Sequence, residues 1–201
     1  MKQRIVSLVP SVTETLAALG VPPVACTRFC DLPGVPTVGG TKNPDVAAII
    51  AMRPDLVVVN DEENRIEDAD ALAAAGVTLH SMSPRSVADV GPAVDALCDV
   101  ICVPPVRLSV PAPVPRWTRA FVATWRRPYM TMNGDTYGSS LLASLGIDNV
   151  FAAEPSRYPE VTLDTVAERN PEWLCFPTSR TRSRSGTFPR CRPPSRLPEC
   201  D

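Results

Sequence analysis

Seven cysteines and a single histidine set the chemistry open to this 201-residue chain. Cys26 and Cys30, and again Cys98 and Cys102, stand at C-x3-C spacing, and four thiolates brought together would hold a zinc ion tetrahedrally. The alternative is that both pairs are small buried residues, the usual state of a free cysteine. Cys175, Cys191 and Cys200 make the total odd, which argues against a disulfide framework. His80 is the sole histidine, so there is no His-rich metal cluster, no nucleophile, histidine and acid set with a choice of base, and no H-E-x-x-H. His80 itself, at a strand end, reads either as a structural histidine or as an axial contact to a bound metal. Gly39-Gly40 fits neither G-x4-G-K-[ST] nor G-x-G-x-x-G after a strand, so it makes no phosphate loop. The chain reads as a non-enzyme with no resident metal.

The elements that must position these groups come as a repeat. An apolar strand, a polar turn and a short helix closing on Leu-Gly occupy residues 5–20 and again 129–146. Helix, then Pro-Asp or Pro-Glu, then apolar strand follow in residues 44–60 (PDVAAIIAMRPDLVVVN) and 161–177 (VTLDTVAERNPEWLCFP). Repetition on this scale predicts two similar lobes. In the first, strand 5–9 leads into a helix with Ser11 and Glu14 at capping-box spacing and Gly20 as its stop. Strand 24–27, a loop over 29–42 and a helix over 44–52, capped by Asn43 with Pro44 at its first position, come next. Strand 55–60 is an unbroken apolar run, as suits a strand buried on both faces. Helix 62–75, strand 77–81 and a helix over 86–101, weakened at Gly91-Pro92, complete the lobe.

Five prolines between Val103 and Pro115 exclude a helix interior and mark the lobe boundary. Beyond it lie strands 120–125 and 129–132, a loop over 133–137, helices 138–145 and 163–169, and strand 173–176. The alternation predicts an α/β fold of two Rossmann-like lobes with parallel sheets. The division is an N-terminal lobe over 1–102, an extended connection over 103–116, a C-terminal lobe over 117–176 that is incomplete, and a tail over 177–201. That tail, rich in Arg, Ser and Pro without periodicity, is expected to be disordered.

A hydrophobic fraction of 44% is ample for a core, and a net charge of −2 offers no basic surface for nucleic acid. The opening MKQRIVSLVPS is positively charged, but its apolar run is too short for a secretory signal. No stretch approaches the roughly 18 apolar residues of a membrane span. A cytoplasmic monomer is the expectation.

The segments IVSLVPSVTETLAALG, TRFCDLPGVPTVGGTKNPDVAAIIAMRPDLVVVNDEEN, and MTMNGDTYGSSLLASLGIDNVF with YPEVTL cover most of residues 4–176. In that order they resemble the helical-backbone, class III substrate-binding proteins of ABC importers, receptors for cobalamin, siderophores and haem, and the cobalamin-binding branch most closely. The resemblance implies two lobes on a rigid connection, a ligand in the interlobe cleft, no catalysis and no intrinsic cofactor, the bound small molecule being cobalamin or another metal chelate. Loops at the carboxyl ends of parallel strands are where an α/β sheet binds ligands in any case.

The family's ligand-facing positions fall on Pro10, Ser11 and Thr13, on Phe29, Cys30 and Asp31, and on Asn60; in the second lobe they fall on Trp125, Arg126, Tyr129, Asp135 and Tyr137. Several have a second reading. Ser11 would serve as a helix cap, Asp31 as a turn initiator, Phe29 and Trp125 as core aromatics, and Tyr137 as packing beneath its helix. Glu62, Glu63 and Glu67 match the acids that dock such receptors onto permease arginines, or are a solvated helix start.

Three features depart from the family. It is usually periplasmic or lipid-anchored, whereas no export signal is read here; its lobes are joined by a long helix, where this chain has prolines; and its pattern stops after Phe176. A reading frame shifted near residues 174–177 admits the family's continuation, so the tail reads as the product of a frameshift. Two alternative functions stay open: a cytoplasmic α/β enzyme or regulatory module binding an anion at the helix N-terminus beside Ser11, and a non-functional receptor fragment.

Overall fold

The computed structural model describes residues 3–109, 112 and 114–176. The tail expected over 177–201 lies outside the described residues. The described residues divide into two compact units, the first holding those up to Ser83 and Gly91–Leu108, the second Pro84–Val90 and those from Ser109 to Phe176.

The first unit runs β1 (Ile5–Ser7), α1 (Pro10–Ala18), β2 (Ala25–Cys26), α2 (Val46–Ala51), β3 (Leu56–Val59), α3 (Ile66–Ala74), β4 (Leu79–Ser81) and α4 (Val87–Val100). Its sheet has the order β2-β1-β3-β4, all parallel. Every residue of β3 is buried, as the run LVVV requires of an interior strand. Val6, Leu8, Val57 and Val59 pack with Ile49 of α2 and Leu72 of α3. Each such aliphatic side chain contributes ~1.5–3 kcal/mol on burial.

The second unit runs β5 (Thr118–Val122), β6 (Tyr129–Met130), α5 (Tyr137–Ser144), β7 (Ile147–Asn149), β8 (Glu160–Val161), α6 (Leu163–Glu168) and β9 (Trp173–Cys175). The parallel order β7-β5-β9 reproduces β2-β1-β3, so the repeat read from the sequence is a repeat of topology. Phe121, Phe151 and Val166 form its core, with the two phenyl rings edge to face at 5.7 Å. The Leu-Gly closures also match: Gly20 and Gly146 end α1 and α5 at φ 76° and 75°, a left-handed turn that glycine takes without steric cost.

Several expectations are corrected. The strand that corresponds to β1 is Thr118–Val122, not the one at Tyr129. Tyr129–Met130 leaves the main sheet as an antiparallel partner of β8, because Thr124 donates to the Met130 carbonyl at 2.8 Å and the chain doubles back there. The expectation that every strand is parallel therefore fails at this pair. Ser11 does not cap α1, which begins at Pro10 with Val9 at the N-cap and no side-chain cap bond. Asn43 does not cap α2 either: the tight turn from Gly40 to Asn43 and a bridge from Gly39 to Pro44 occupy that stretch, and Asp45 accepts from Ala48 instead. Helix α3 starts at Ile66 rather than at residue 62, since the Asn60 side chain accepts from the Glu62 and Glu63 N–H groups at 2.8 and 3.1 Å and holds them in a turn.

Helix α4 runs unbroken through Pro92 for 14 residues. An interior proline costs ~3 kcal/mol, and burial of Val94 and Leu97 at ~1.5–3 kcal/mol each offsets it. The unit division falls inside this helix, and residues Pro84–Val90 group with the second unit although the sequence places them in the first. Two contacts hold them there: the Val87 N–H donates to Ser140 Oγ at 3.0 Å, and Arg85 pairs with Asp135 at 3.7 Å.

Candidate ligand-binding loops

In the first unit the loops after β1 and β2 meet at a sulfur. Thr13, on the first turn of α1, is fully buried; its hydroxyl donates to the Val9 carbonyl at 3.1 Å and its oxygen lies 3.1 Å from Cys30 Sγ. Thr27 lies 3.3 Å from the same sulfur. This joins Thr13 to the loop that presents Phe29, which is 41% exposed and carries the Arg28 guanidinium 5.0 Å over its ring. Pro10 is half-buried, and Ser11 and Asp31 are exposed. Burial, with the Cys30 thiol beside it, pushes the Cys26 thiol up to about 12.

Asn60 has an internal task. Its amide donates to the Met82 carbonyl at 2.9 Å while its oxygen accepts the two N–H groups already described. The residue that sequence reasoning missed beside it is Asn64, which accepts from the Asn60 N–H at 2.8 Å and donates to the Thr41 carbonyl at 2.9 Å. Two asparagines four apart directly after a strand were the available signal. A pocket of about 340 Å3 lies beside them, walled by Val59, Asn60, Asp61, Arg65, Leu79 and Ser81. Glu62, Glu63 and Glu67 are exposed; only Glu67 lies within α3, the other two preceding it.

In the second unit Trp125 stands 62% exposed and Tyr137 40% exposed, on the loop after β5 and at the first residue of α5, and Arg126 is exposed beside Trp125. Neither Phe29, Trp125 nor Tyr137 is a core aromatic. Tyr129 packs instead against the core around Phe121, its ring 5.9 Å from Phe176. Asp135 sits between two arginines: Arg157 Nε donates to its carbonyl at 2.8 Å and lies 3.5 Å from its carboxylate, opposite Arg85. Asn133 orders this loop, accepting from the Asp135 N–H at 2.9 Å, while the Thr136 hydroxyl caps α5 at Ser139. A separate apolar pocket of about 230 Å3 lies against one face of the β7-β5-β9 sheet, lined by Thr118 and Ala120 of β5, Ile147 of β7, Trp173 and Cys175 of β9, and Leu142 of α5.

His80 lies in β4, paired in register with Val58, and burial holds its imidazole below the usual histidine range. Among the described residues no group of three or more His, Cys, Asp or Glu side chains converges to hold a metal. In each C-x3-C pair the first thiol is buried, Cys26 at the end of β2 and Cys98 in α4, while Cys30 is half-buried and Cys102 is exposed beyond the end of α4.

Two repeated units with parallel sheets in the order β2-β1-β3 and β7-β5-β9, and aromatic side chains exposed on their loops, define the class: the chain has the fold of the helical-backbone, class III ABC substrate-binding proteins. By sequence it is similar to proteins named as vitamin B12-binding. It is 26% identical over 189 residues to the vitamin B12-binding protein of Yersinia pestis (strain Pestoides F), spanning 85% of this chain and 68% of the relative. Among solved structures, the periplasmic vitamin B12 binding protein BtuF of Vibrio cholerae superposes with a TM-score of 0.71 at 19% identity, covering 87% of this chain and 76% of that one. A periplasmic haem binding protein from Pseudomonas aeruginosa superposes with a TM-score of 0.71 at 20% identity, covering 88% and 72%. No family profile matches the chain. These relatives are named as binding proteins, not enzymes. Two of the three are named as periplasmic, so they lend no support to the cytoplasmic placement expected from the sequence. Among the described residues no helix is long and apolar enough to cross a membrane.

Proposed function

We propose that this chain is the ligand-binding component of an ABC importer, taking a corrinoid or a related metal chelate without catalysis. The observation that carries the reading is the exposure of Phe29 and Trp125 on the loops after β2 and β5, and of Tyr137 at the start of α5. Large aromatic faces left in water are costly unless they meet a flat apolar partner, and a corrin or porphyrin ring is such a partner. Relatives named for vitamin B12 and for haem support the same class of ligand. Pro10, Ser11, Thr13, Cys30 and Asp31 in the first unit, and Arg126 in the second, furnish the polar and shape-setting remainder. Asn60, Tyr129 and Asp135 act by holding the loops.

Titration of the purified protein with cyanocobalamin and, separately, with haemin, followed by absorbance and calorimetry, tests this. Saturable binding of either is expected. Binding of neither by protein whose circular dichroism reports a folded α/β chain ends the proposal.

Delivery to a permease would use the exposed Glu62, Glu63 and Glu67. Charge reversal at all three should leave ligand affinity intact and abolish stimulation of the transporter's ATPase. A second reading rests on the start of α1, whose N-cap Val9 offers no side-chain oxygen to the first-turn N–H groups. On that reading a phosphate-bearing small molecule binds there, and inorganic phosphate or a nucleotide would saturate the protein where cyanocobalamin does not.

A further inference from the structure

The two loops that expose Phe29 and Trp125 also carry guanidinium groups that the protein itself does not use. After β2, the Arg28 guanidinium lies 5.0 Å over the Phe29 ring. The pair packs down on Gly40, where an added Cβ would stand 3.2 Å from the Phe29 ring and 3.3 Å from Arg28 Nη2. Stacking occupies one face of the guanidinium and leaves its N–H edge open to an acceptor. After β5, the Met130 N–H donates to the Trp125 carbonyl at 3.1 Å and closes a hairpin that presents Arg126 and Arg127, both exposed. Arg127 holds a left-handed backbone there, φ 71°, a conformation that costs an ordinary L-residue. Among the described residues, Arg28, Arg126 and Arg127 have no carboxylate within ion-pair distance and no acceptor for their guanidinium N–H groups. Arg65, Arg85, Arg116, Arg157 and Arg169, by contrast, each pair with an acid. Asp31 is exposed on the loop of Arg28, whereas Asp135 in the second unit is already taken by Arg85 and Arg157. The candidate positions therefore set three uncommitted cations against one acid.

We propose that Arg28, Arg126 and Arg127 are specificity residues that bind carboxylate or phosphate groups on the rim of a macrocycle, so that the chain takes an anionic metal chelate in preference to a neutral one. The proposal rests on the binding-protein reading above and adds the charge of the ligand to it. An aromatic wall meets the flat face of such a ring, and the acidic groups project from the ring's edge. A guanidinium beside that wall offers its N–H fork to them, and two parallel N–H···O bonds to one carboxylate or phosphate are the arrangement that distinguishes an acid from its ester or amide. Each loop supplies both parts, Phe29 with Arg28 and Trp125 with Arg126 and Arg127, so each unit can hold one region of face and rim.

The test compares each macrocycle with and without its acids: haemin against its dimethyl ester, and dicyanocobyrinic acid against its heptamethyl ester, titrated by absorbance and calorimetry at low and raised salt. In whichever macrocycle is bound, the acid form should bind roughly 5- to 30-fold tighter than the ester. Its advantage should shrink as salt is added, because the arginines are exposed. Arg28→Gln, Arg126→Gln and Arg127→Gln combined should bring the acid form down to the affinity of the ester. Arg116→Gln removes one charge at the opposite end of β5 and should leave the preference as it was. Equal affinity for acid and ester, an advantage that salt does not touch, or an advantage that survives in the triple variant overturns the proposal and leaves the binding-protein reading standing. Binding of none of the four ligands by folded protein ends both.

Discussion

Arg53 and Asn170 occupy the same left-handed backbone conformation, φ 48° in each, at the same place in two copies of one turn. Each follows a short helix and precedes a proline, and the acid after that proline folds back onto the first strand of its unit. Asp55 Oδ2 accepts from the Arg4 N–H at 2.7 Å, and Glu172 Oε2 from the Arg119 N–H at 2.9 Å. Each acid's own N–H returns to the same residue's carbonyl, at 2.9 Å in both. Arginine and asparagine have little in common, so the turn rather than the side chain dictates the conformation.

Arg53→Gly should therefore stabilise the protein. The left-handed region costs an ordinary L-residue ~1–2 kcal/mol, and glycine's extra freedom in the unfolded chain returns ~0.5–1 kcal/mol of that. A net gain of about 0.5 kcal/mol is expected in urea unfolding. Asn170→Gly should be close to neutral, because asparagine visits this region at lower cost. A loss of stability in Arg53→Gly would show that the Arg53 side chain, not its backbone, is what the turn needs.

The two acids are tested separately. Asp55→Ala should cost ~1–2 kcal/mol at neutral pH through the lost bond to the Arg4 N–H. Hydrogen bonds from the Thr118 hydroxyl and the Arg119 N–H hold the Glu172 carboxyl below its usual range. Its contribution is complete above the unfolded value of 4.5 and is lost as pH falls through the lower, folded value. Glu172→Gln should remove that part of the acid limb of a stability–pH curve. An unchanged acid limb in the variant would refute the assignment.

His80 gives a second test, of the same sign, nearer neutrality. Burial in β4 lowers its pKa, so the folded chain favours the neutral ring. Below 6.5 the unfolded chain takes up the proton first, and stability should decline from there down toward the folded value, then level off. His80→Phe should flatten this window. A decline of equal size in the variant would place its origin elsewhere.

The strand and helix inventory was legible because each unit repeats one pattern, and the run LVVV could only be an interior strand. Helix starts are not legible where polar side chains compete for the same N–H groups: Asn60 diverts Glu62 and Glu63 into a turn, and Asp45 rather than Asn43 caps α2. The apolar run at Tyr129 looks like a main-sheet strand because nothing in it announces the hairpin bridge between Trp125 and Met130. Of the site, the loops were legible but not the division of labour within them. Whether an aromatic such as Trp125 faces water or core is set by partners distant in sequence, as Tyr129 against Phe176 demonstrates.

That exposure makes the ligand reading separable from folding. Phe29 and Trp125 are 41% and 62% exposed, so Phe29→Ala and Trp125→Ala should each change unfolding stability by no more than about 0.5 kcal/mol. If these rings form the walls that a macrocycle covers, each truncation removes ~1–2 kcal/mol of binding, a weakening of cyanocobalamin or haemin affinity by roughly 5- to 30-fold. Phe29 should show the larger secondary effect, since its loss also frees the Arg28 guanidinium stacked on it. Tyr129→Phe serves as the contrast: its ring packs on the core, so binding should stay within about twofold of the unsubstituted protein. Calorimetric titration of the three variants beside urea unfolding decides the matter. Unchanged affinity in both Phe29→Ala and Trp125→Ala would remove these loops from the binding surface, whatever the protein is found to bind.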